Sequence, residues 1–251
     1  MIYFLRYKKG GILILFTKDI NINMCKNKHV NTSESVHLGI LLAIVGGFLD
    51  AYTFVCRGGV FANAETGNIV LVGVEVTKGN FKGAVMAFLP ILAFIIGVIV
   101  AERINEFEFC IVVVDSHRAI LIIEMLVLFI IGFVPTTIPN IFVTTTISFV
   151  SSVQISSFRK LVDSPYSTTM CTGNLRSASQ AAYMAFRKKD KTYTIKSIRY
   201  CIIIISFLVG ACLGGVSTLK IGVRSVWISV IVLLCAILLF TIDEIRFKEQ
   251  C

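Results

Sequence analysis

Six long apolar stretches constrain this chain more than any other feature. Each approaches the roughly 17–25 residues that a helix needs to cross about 30 Å of hydrocarbon. Charged residues make up 16% of the 251 residues, whereas soluble domains carry about 25%. The sequence therefore predicts an all-α, polytopic integral membrane protein with about six transmembrane helices in contact with the lipid bilayer. The predicted spans are residues 37–56, 84–101, 119–134, 138–153, 198–218 and 223–242.

Basic residues at the ends of these stretches account for the net charge of +9. Lys and Arg beside transmembrane segments are typical of loops retained in the cytoplasm. Nucleic acid is therefore not predicted as a partner. One connection alone carries Arg187, Lys188, Lys189, Lys191, Lys196 and Arg199.

Motifs for metal binding and catalysis are missing from the sequence. The eight cysteines show no C-x-x-C spacing and the three histidines are scattered, so neither a metal site nor a cofactor is predicted. G-x-S-x-G, H-E-x-x-H and P-loop motifs are absent as well. The chain is therefore not expected to be an enzyme.

The apolar stretches define a single membrane domain, residues 36–242, between a basic lead-in (residues 1–35) and a cytoplasmic tail (residues 243–251). The first residues combine three charges with two short apolar patches, and they lack the single apolar core and cleavage site of a signal peptide. They are interpreted either as an interfacial segment or as an extension upstream of a start at Met24. The basic lead-in that follows Met24 favours the second interpretation.

A Thr-Gly-Asn motif occurs twice, at residues 66–68 and again 106 residues later at 172–174. At the same offset Arg118 aligns with Arg224, and each arginine begins an apolar run. FIIG at residues 94–97 matches FLVG at residues 207–210, an offset seven residues longer than 106. The longer basic loop of the second half explains the seven extra residues. We therefore expect two related halves, residues 36–134 and 138–242, each with a long span, a motif followed by a short amphipathic piece, and two further spans.

The short pieces leave two topologies open. NIVLVGVEV would span only about 15 Å as a helix. If such pieces do not cross, each half has three spans and the halves are inverted; if they cross, each half has four and the halves are parallel. Six spans leave only five basic residues outside and keep the Lys/Arg-rich connections inside, which favours six spans, inverted halves and cytoplasmic termini. The outside residues would be Arg57, Lys78, Lys82, Lys220 and Arg224.

Thr-Gly-Asn suits a helix that begins after a break, because Gly relaxes the backbone and Thr and Asn oxygens cap free N–H groups. Paired broken or re-entrant helices in two inverted halves indicate a transporter site, at which helix N-termini face a polar or anionic solute. The alternative is two ordinary surface caps. The candidate substrate-binding residues at the breaks are Thr66, Gly67, Asn68, Thr172, Gly173 and Asn174.

Asp50 is the main candidate within a span. It ends a helical face of small residues at positions 39, 43 and 46, and a carboxylate at membrane depth is costly unless it is paired or hydrated. Its structural alternatives are a partner for Arg57 or for an N–H group at a helix break. Ser156 stands 106 residues after Asp50, so any site would be asymmetric. The secondary candidates are Arg57, Glu124, Ser152 and Ser156.

These residues resemble a known family. GGFLDAYTFVCRGGVFANAETGNIVLVG, AFIIGV and SFRKLVDSPYSTTMCTGNL are similar to the YoaK-like bacterial membrane proteins, whose shared region (UPF0700) is a domain of unknown function. The likeness covers about residues 36–242. Glu65 departs from it, since an apolar residue such as Met is expected there, and so does Ser156-Ser157-Phe158-Arg159. The resemblance implies a membrane protein and no established activity. The matching positions are Gly46, Gly47, Asp50, Ala51, Phe61, Thr66, Gly67, Asn68, Thr168, Thr169, Thr172, Gly173 and Asn174.

Two functions follow from these patterns. The first is a small-solute permease or secondary transporter of the bacterial inner membrane, with its site near Asp50 and the two Thr-Gly-Asn breaks. The second is a membrane scaffold or partner subunit that transports nothing and in which the breaks are structural. The substrate and the coupling ion are not determined by the sequence.

Overall fold

The described part of the chain is almost entirely helical. The computed structural model describes the backbone of residues 3–6, 12–15, 35–106, 116–162 and 164–250, and the side chains of residues 35–104, 106, 116–162 and 164–242. Two short antiparallel pairs, β1 (Tyr3–Arg6) with β2 (Ile12–Leu15) and β3 (Lys160–Leu161) with β4 (Ser164–Pro165), are its strands. The helices are α1 (Val36–Cys56), α2 (Glu65–Thr77), α3 (Phe81–Glu106), α4 (Ser116–Ile131), α5 (Asn140–Ser157), α6 (Cys171–Lys188), α7 (Lys191–Ile221) and α8 (Val226–Gln250).

Each of the six predicted apolar spans forms a helix, namely α1, α3, α4, α5, α7 and α8. The all-α membrane fold is therefore confirmed. Helix α8 continues through Gln250 and so includes most of the predicted tail. Of the predicted lead-in, the structure describes β1, β2 and Ser35, so the choice between an interfacial segment and a start at Met24 lies outside the described residues.

Three helical stretches among the described residues are long and apolar enough to cross a membrane: Val36–Cys56, Phe81–Ile104 and Lys191–Ile242. The third has 52 residues, more than twice the roughly 20 that one crossing needs. It is interrupted by a 3₁₀ turn at Gly222–Ser225, where Gly222 adopts a φ of 61°. By length and composition these stretches support a polytopic protein and do not decide the number of crossings.

Large apolar side chains cover the outside of the helices. Ile96 of α3 is 55% exposed and Leu219 of α7 is 78% exposed. Exposed apolar patches of this extent are unusual on soluble proteins and mark surfaces that contact lipid or another apolar partner. The exterior of the bundle therefore agrees with a membrane environment.

Helix α1 crosses α7 at glycines from both helices. A Cβ atom added to Gly47 would lie 2.0 Å from the carbonyl oxygen of Phe207, and one added to Gly210 would lie 2.1 Å from that of Ile44. The backbones therefore approach as closely as glycine allows. Of the predicted small-residue face of α1, Gly39 lies against Ile203 of α7 and against Leu161, whereas Gly46 lies mainly against Thr169.

The remaining packing follows a regular pattern. Helix α3 packs on α5, with Gly97 of α3 against the backbone of Phe149. The short helix α2 packs on α3 and α6 packs on α7, while α4 packs on α8 and on α5, and α1 also packs on α8. A core of buried apolar side chains, including Leu49 and Leu128, joins α1, α4, α5 and α8.

Candidate functional site

The two loops that precede α2 and α6 are closed by the same side-chain arrangement. Asn68 Oδ1 accepts a hydrogen bond from Phe61 N at 2.9 Å, and Asn68 Nδ2 donates to Phe61 O at 2.8 Å. Asn174 makes the equivalent pair with Ser167, at 3.4 Å and 2.6 Å. Each asparagine is buried and reaches back seven residues. The second residue pair lies 106 positions after the first.

The helices begin before the Thr-Gly-Asn motifs. The N-cap residues are Ala64 and Met170, with ψ angles of 66° and 73°, and neither makes a side-chain cap. Thr66 and Thr172 lie in the first turns and are exposed. The prediction that their oxygens cap the helix starts is therefore wrong. The break is held instead by the asparagine side chain, which bonds to loop backbone outside the helix.

The two glycines of the motifs have different surroundings. A Cβ atom on Gly67 would lie 2.8 Å from the Phe61 ring, so this glycine leaves room for the aromatic side chain of the loop. Gly173 has nothing within 4 Å of its Cβ position. The packing requirement for glycine is therefore confined to the first motif.

Asp50 is buried in α1 and bonds to the first loop. Its Oδ1 accepts a hydrogen bond from Asn63 N at 2.7 Å, and only 4% of the residue is exposed. Its Oδ2 is buried and has no hydrogen-bond partner. Asp50 therefore accepts a bond from the loop N–H group just before the Ala64 N-cap of α2, at the end of the helix where the dipole favours a carboxylate.

Arg57 is not the partner of Asp50. It is fully buried at the end of α1, where its Nε donates to Tyr52 Oη at 3.0 Å and its Nη2 donates to Val134 O at 2.7 Å. Its Nη1 has no hydrogen-bond partner. Of the structural alternatives for Asp50, the bond to an N–H group at a helix break is the one observed.

Both loops reach the middle of α1. Gly46 is the eleventh of the 21 residues of α1. From the first loop, Asn63 Nδ2 donates to Gly46 O at 3.3 Å. From the second loop, Thr169 packs so closely that its Cγ2 atom would lie 2.4 Å from a Cβ on Gly46. Asn63 and Thr169 are 106 residues apart in the sequence, and both contact the same turn of α1.

The charge of Asp50 acts on the first residue of each short helix. Burial raises the pKa of Glu65 to about 7, a bond from Asn68 opposes this shift, and Asp50 adds to it. Burial also raises the pKa of the Cys171 thiol, and Asp50 again adds to the shift. Asp50 thus lies within electrostatic reach of the starts of both α2 and α6.

Several buried oxygens of Asp50 and of the two loop–helix junctions have no hydrogen-bond partner. Buried polar groups are nearly always satisfied, so these unpaired oxygens are available to a ligand or ion. Asn63, Thr168 and Thr169 were not selected as site residues from the sequence, although the 106-residue offset pairs Asn63 with Thr169. The unpaired atoms are Asp50 Oδ2, Asn63 Oδ1, Glu65 Oε1, Thr168 Oγ1 and Thr169 Oγ1.

The other secondary candidates lie apart from this cluster. Glu124 of α4 is buried, bonds weakly to Ser151 Oγ at 3.5 Å, and lines a cavity of 120 Å³ between α3, α4 and α5. Ser152 donates to Phe149 O at 2.8 Å and lies against Gly97. Ser156 is buried, and its backbone oxygen accepts a bond from Arg159. None of these contacts reaches Asp50.

Among the described residues, no group of three or more His, Cys, Asp and Glu side chains could hold a metal ion. A second cavity of 360 Å³ lies between α6 and α7 and is lined by Gln180, Lys196 and Tyr200 among others. This cavity does not include the residues around Asp50.

The fold and the site define an α-helical membrane protein in which the loops before two short helices both contact α1 one turn before a buried carboxylate. Residues 38–239 match the family described as "Protein of unknown function (DUF1275)". The chain belongs to this family, which confirms the resemblance seen in the sequence. It is also similar to the UPF0700 transmembrane protein YoaK of Bacillus subtilis (strain 168), with 25% identity over 199 residues that cover 77% of this chain and 88% of that protein. No solved structure matches the chain.

Proposed function

We propose that this protein is a secondary transporter or permease for a small polar or anionic solute, with its site at Asp50 and the two loop–helix breaks. One observation carries the proposal: the loops before two short helices, Asn63 of the first and Thr169 of the second, both contact Gly46 at the middle of α1, one turn before the buried Asp50. Paired broken helices that meet at the centre of a membrane domain are the usual construction of a transporter site.

The proposal includes two inverted halves with six crossings. Exchanging α1–α4 with α5–α8 leaves the packing pattern unchanged: α1 on α7 becomes α5 on α3, and α2 on α3 becomes α6 on α7. The two loops also reach the middle of α1, near Gly46. Loops that enter from opposite membrane faces meet at that depth if α2 and α6 do not cross.

A polar or anionic solute suits the start of α6. Helix N-termini attract negative charge, and the start of α2 already receives the Asp50 carboxylate. The equivalent position for α6 is Ser156, which carries no charge. Thr168 and Thr169, whose buried hydroxyl oxygens have no partners, lie just before α6.

Cysteine labelling from outside intact cells tests the topology. In a cysteine-free background, we expect a cysteine at Lys78 to be labelled and one at Lys160 to be protected, because six spans with cytoplasmic termini place them on opposite sides of the inner membrane. Both positions are exposed. Eight spans would reverse the two results. A cysteine at Asp190 is cytoplasmic in either topology and is the control.

Uptake by proteoliposomes tests the transport function. A panel of small polar and anionic solutes is screened for thermal stabilisation of the purified protein, and the best radiolabelled solute is used for uptake. We expect the wild type to take it up and Asp50→Asn to reduce uptake at least about tenfold, because an interaction worth about 1.4 kcal/mol corresponds to a factor of ten. Asp190→Asn, at the exposed N-cap of α7, is the matched control.

Protein yield and thermal unfolding are measured for each variant. Uptake no faster than in empty liposomes for every solute, or full uptake by an Asp50→Asn, Asn68→Ala double variant, would contradict transport at this site. Loss of a cellular phenotype only in proportion to the loss of folded protein would favour the scaffold function. A folded variant that no longer transports supports the transporter.

A further inference from the structure

The buried atoms without partners around Asp50 are all oxygens, while the nitrogen donors beside them are already used. Asn63 N donates to Asp50, and Asn63 Nδ2 donates to Gly46 O. Asn68 Nδ2 donates to Phe61 O and to Glu65 Oε2. The unpaired atoms are oxygens and these amide nitrogens are already bonded, so the oxygens match the ligand preference of a hard cation.

The charges of the cluster support the same conclusion. Asp50 and Glu65 lie within electrostatic reach of one another, and two neighbouring carboxylates repel unless a cation or proton lies between them. Among the described residues, neither carboxylate takes part in an ion pair. Arg57, the buried cation at the end of the same helix, is bonded to Tyr52 and Val134.

The unpaired oxygens come from three segments that the fold brings to one place. Asp50 lies on α1, Asn63 and Glu65 lie in the first loop–helix junction, and Thr169 lies in the second. Asn63 and Thr169 both contact Gly46, one turn before Asp50. The four residues other than Glu65 that carry unpaired oxygens are each at least nine-tenths buried. Their exposed fractions are 4% for Asp50, 4% for Asn63, 0% for Thr168 and 6% for Thr169.

We propose that Asp50 and Glu65 bind a dehydrated Na⁺ ion, together with Asn63 Oδ1 and the hydroxyls of Thr168 and Thr169. A monovalent ion suits this depth, because the cost of burying an ion in a medium of low dielectric rises steeply with its charge. The inference deepens the proposed transport function, since the ion would join loops from both halves and couple their movement to the solute. Glu65, where the family resemblance predicts an apolar residue, would make this site a particular feature of this chain.

Thermal unfolding of the purified full-length protein in detergent tests the site. NaCl is varied at fixed pH, and choline chloride replaces it to hold the ionic strength constant. We expect the unfolding temperature to rise and saturate with Na⁺, as for any ligand that binds only the folded state. Loss of a residue that merely supports a metal ligand costs about 10- to 100-fold in affinity, so Asp50→Asn is expected to weaken the apparent Na⁺ affinity at least that much.

Matched variants separate the site from general electrostatics. Glu65→Gln is expected to weaken Na⁺ binding, whereas Glu75→Gln, in the same short helix but bonded to Lys78, is expected to leave it unchanged. Asp190→Asn is the corresponding control for Asp50→Asn. If Asp50→Asn does not fold, Glu65→Gln and direct binding of radioactive Na⁺ to the wild type carry the test.

Each outcome decides the proposal. Equal stabilisation by choline, stabilisation by Ca²⁺ but not Na⁺, or an unchanged Na⁺ response in a folded Asp50→Asn or Glu65→Gln variant would overturn it. The measurement involves no solute flux. Uptake without Na⁺ binding would therefore overturn the cation site alone, and Na⁺ binding without uptake of any solute would overturn the transport function alone.

Discussion

Gly210→Ala is expected to destabilise the protein, although the same substitution in a helix normally stabilises it. Ala is favoured over Gly in a helix interior by about 0.5–1 kcal/mol. At Gly210, however, the added Cβ would lie 2.1 Å from the backbone oxygen of Ile44. Because this contact is with backbone, neither helix can yield without separating α1 from α7. Overpacking of this kind costs about 1–3 kcal/mol and occasionally more.

Gly215→Ala is the matched control for this prediction. Gly215 lies on the same helix, and nothing lies within 4 Å of its Cβ position. We expect Gly215→Ala to raise the unfolding temperature slightly and Gly210→Ala to lower it, measured by fluorescence-detected thermal unfolding of the purified proteins. Equal effects of the two variants would show that α1 and α7 do not cross as closely as described.

Asn68→Ala and Asn174→Ala are expected to be the most destabilising substitutions in the two Thr-Gly-Asn motifs. Each removes both hydrogen bonds to the backbone of the residue seven positions earlier. A buried backbone group left without a partner costs about 1–3 kcal/mol, so the expected loss is about 2–4 kcal/mol for Asn68→Ala. The loss at Asn174 should be smaller, since one of its bonds is 3.4 Å long.

Asn80→Ala provides the comparison. Asn80 is an exposed asparagine whose Oδ1 accepts a bond from Gly83 N at the start of α3, and loss of such a cap costs about 1 kcal/mol. Thermal unfolding of the three variants should rank Asn68→Ala as the least stable and Asn80→Ala as the most stable. A loss at Asn68 no larger than that at Asn80 would show that the side chain does not hold the break.

The pattern of apolar runs in the sequence was sufficient to predict the long helices. All six predicted spans are helices, because a run of about 16–20 apolar residues in lipid must satisfy its backbone hydrogen bonds within itself. The 106-residue offset also selected Asn68 and Asn174, which make equivalent bonds. The helix starts were predicted less well, since Ala64 and Met170 are N-caps without the side-chain oxygens that local preference requires.

The partners of the buried polar groups could not be derived from spacing along the chain. Arg57 is only seven residues from Asp50, which is close to two helical turns, yet it bonds to Val134 O, 77 residues away. Asn63 carries no motif of its own, and it became a site residue only because its loop folds back along α1 to Gly46.

The sequence by itself determined the helical class, the membrane environment and the two equivalent motifs, because these depend on local hydrophobicity and on residues close together in the chain. The tertiary structure decided which groups surround Asp50. That arrangement depends on the close crossing of α1 and α7 at Gly47 and Gly210, which brings Thr169 of the second half against Gly46. Asn63 and Thr169, more than a hundred residues apart in the sequence, both contact Gly46, and glycine allows the close approach of the backbones beside it.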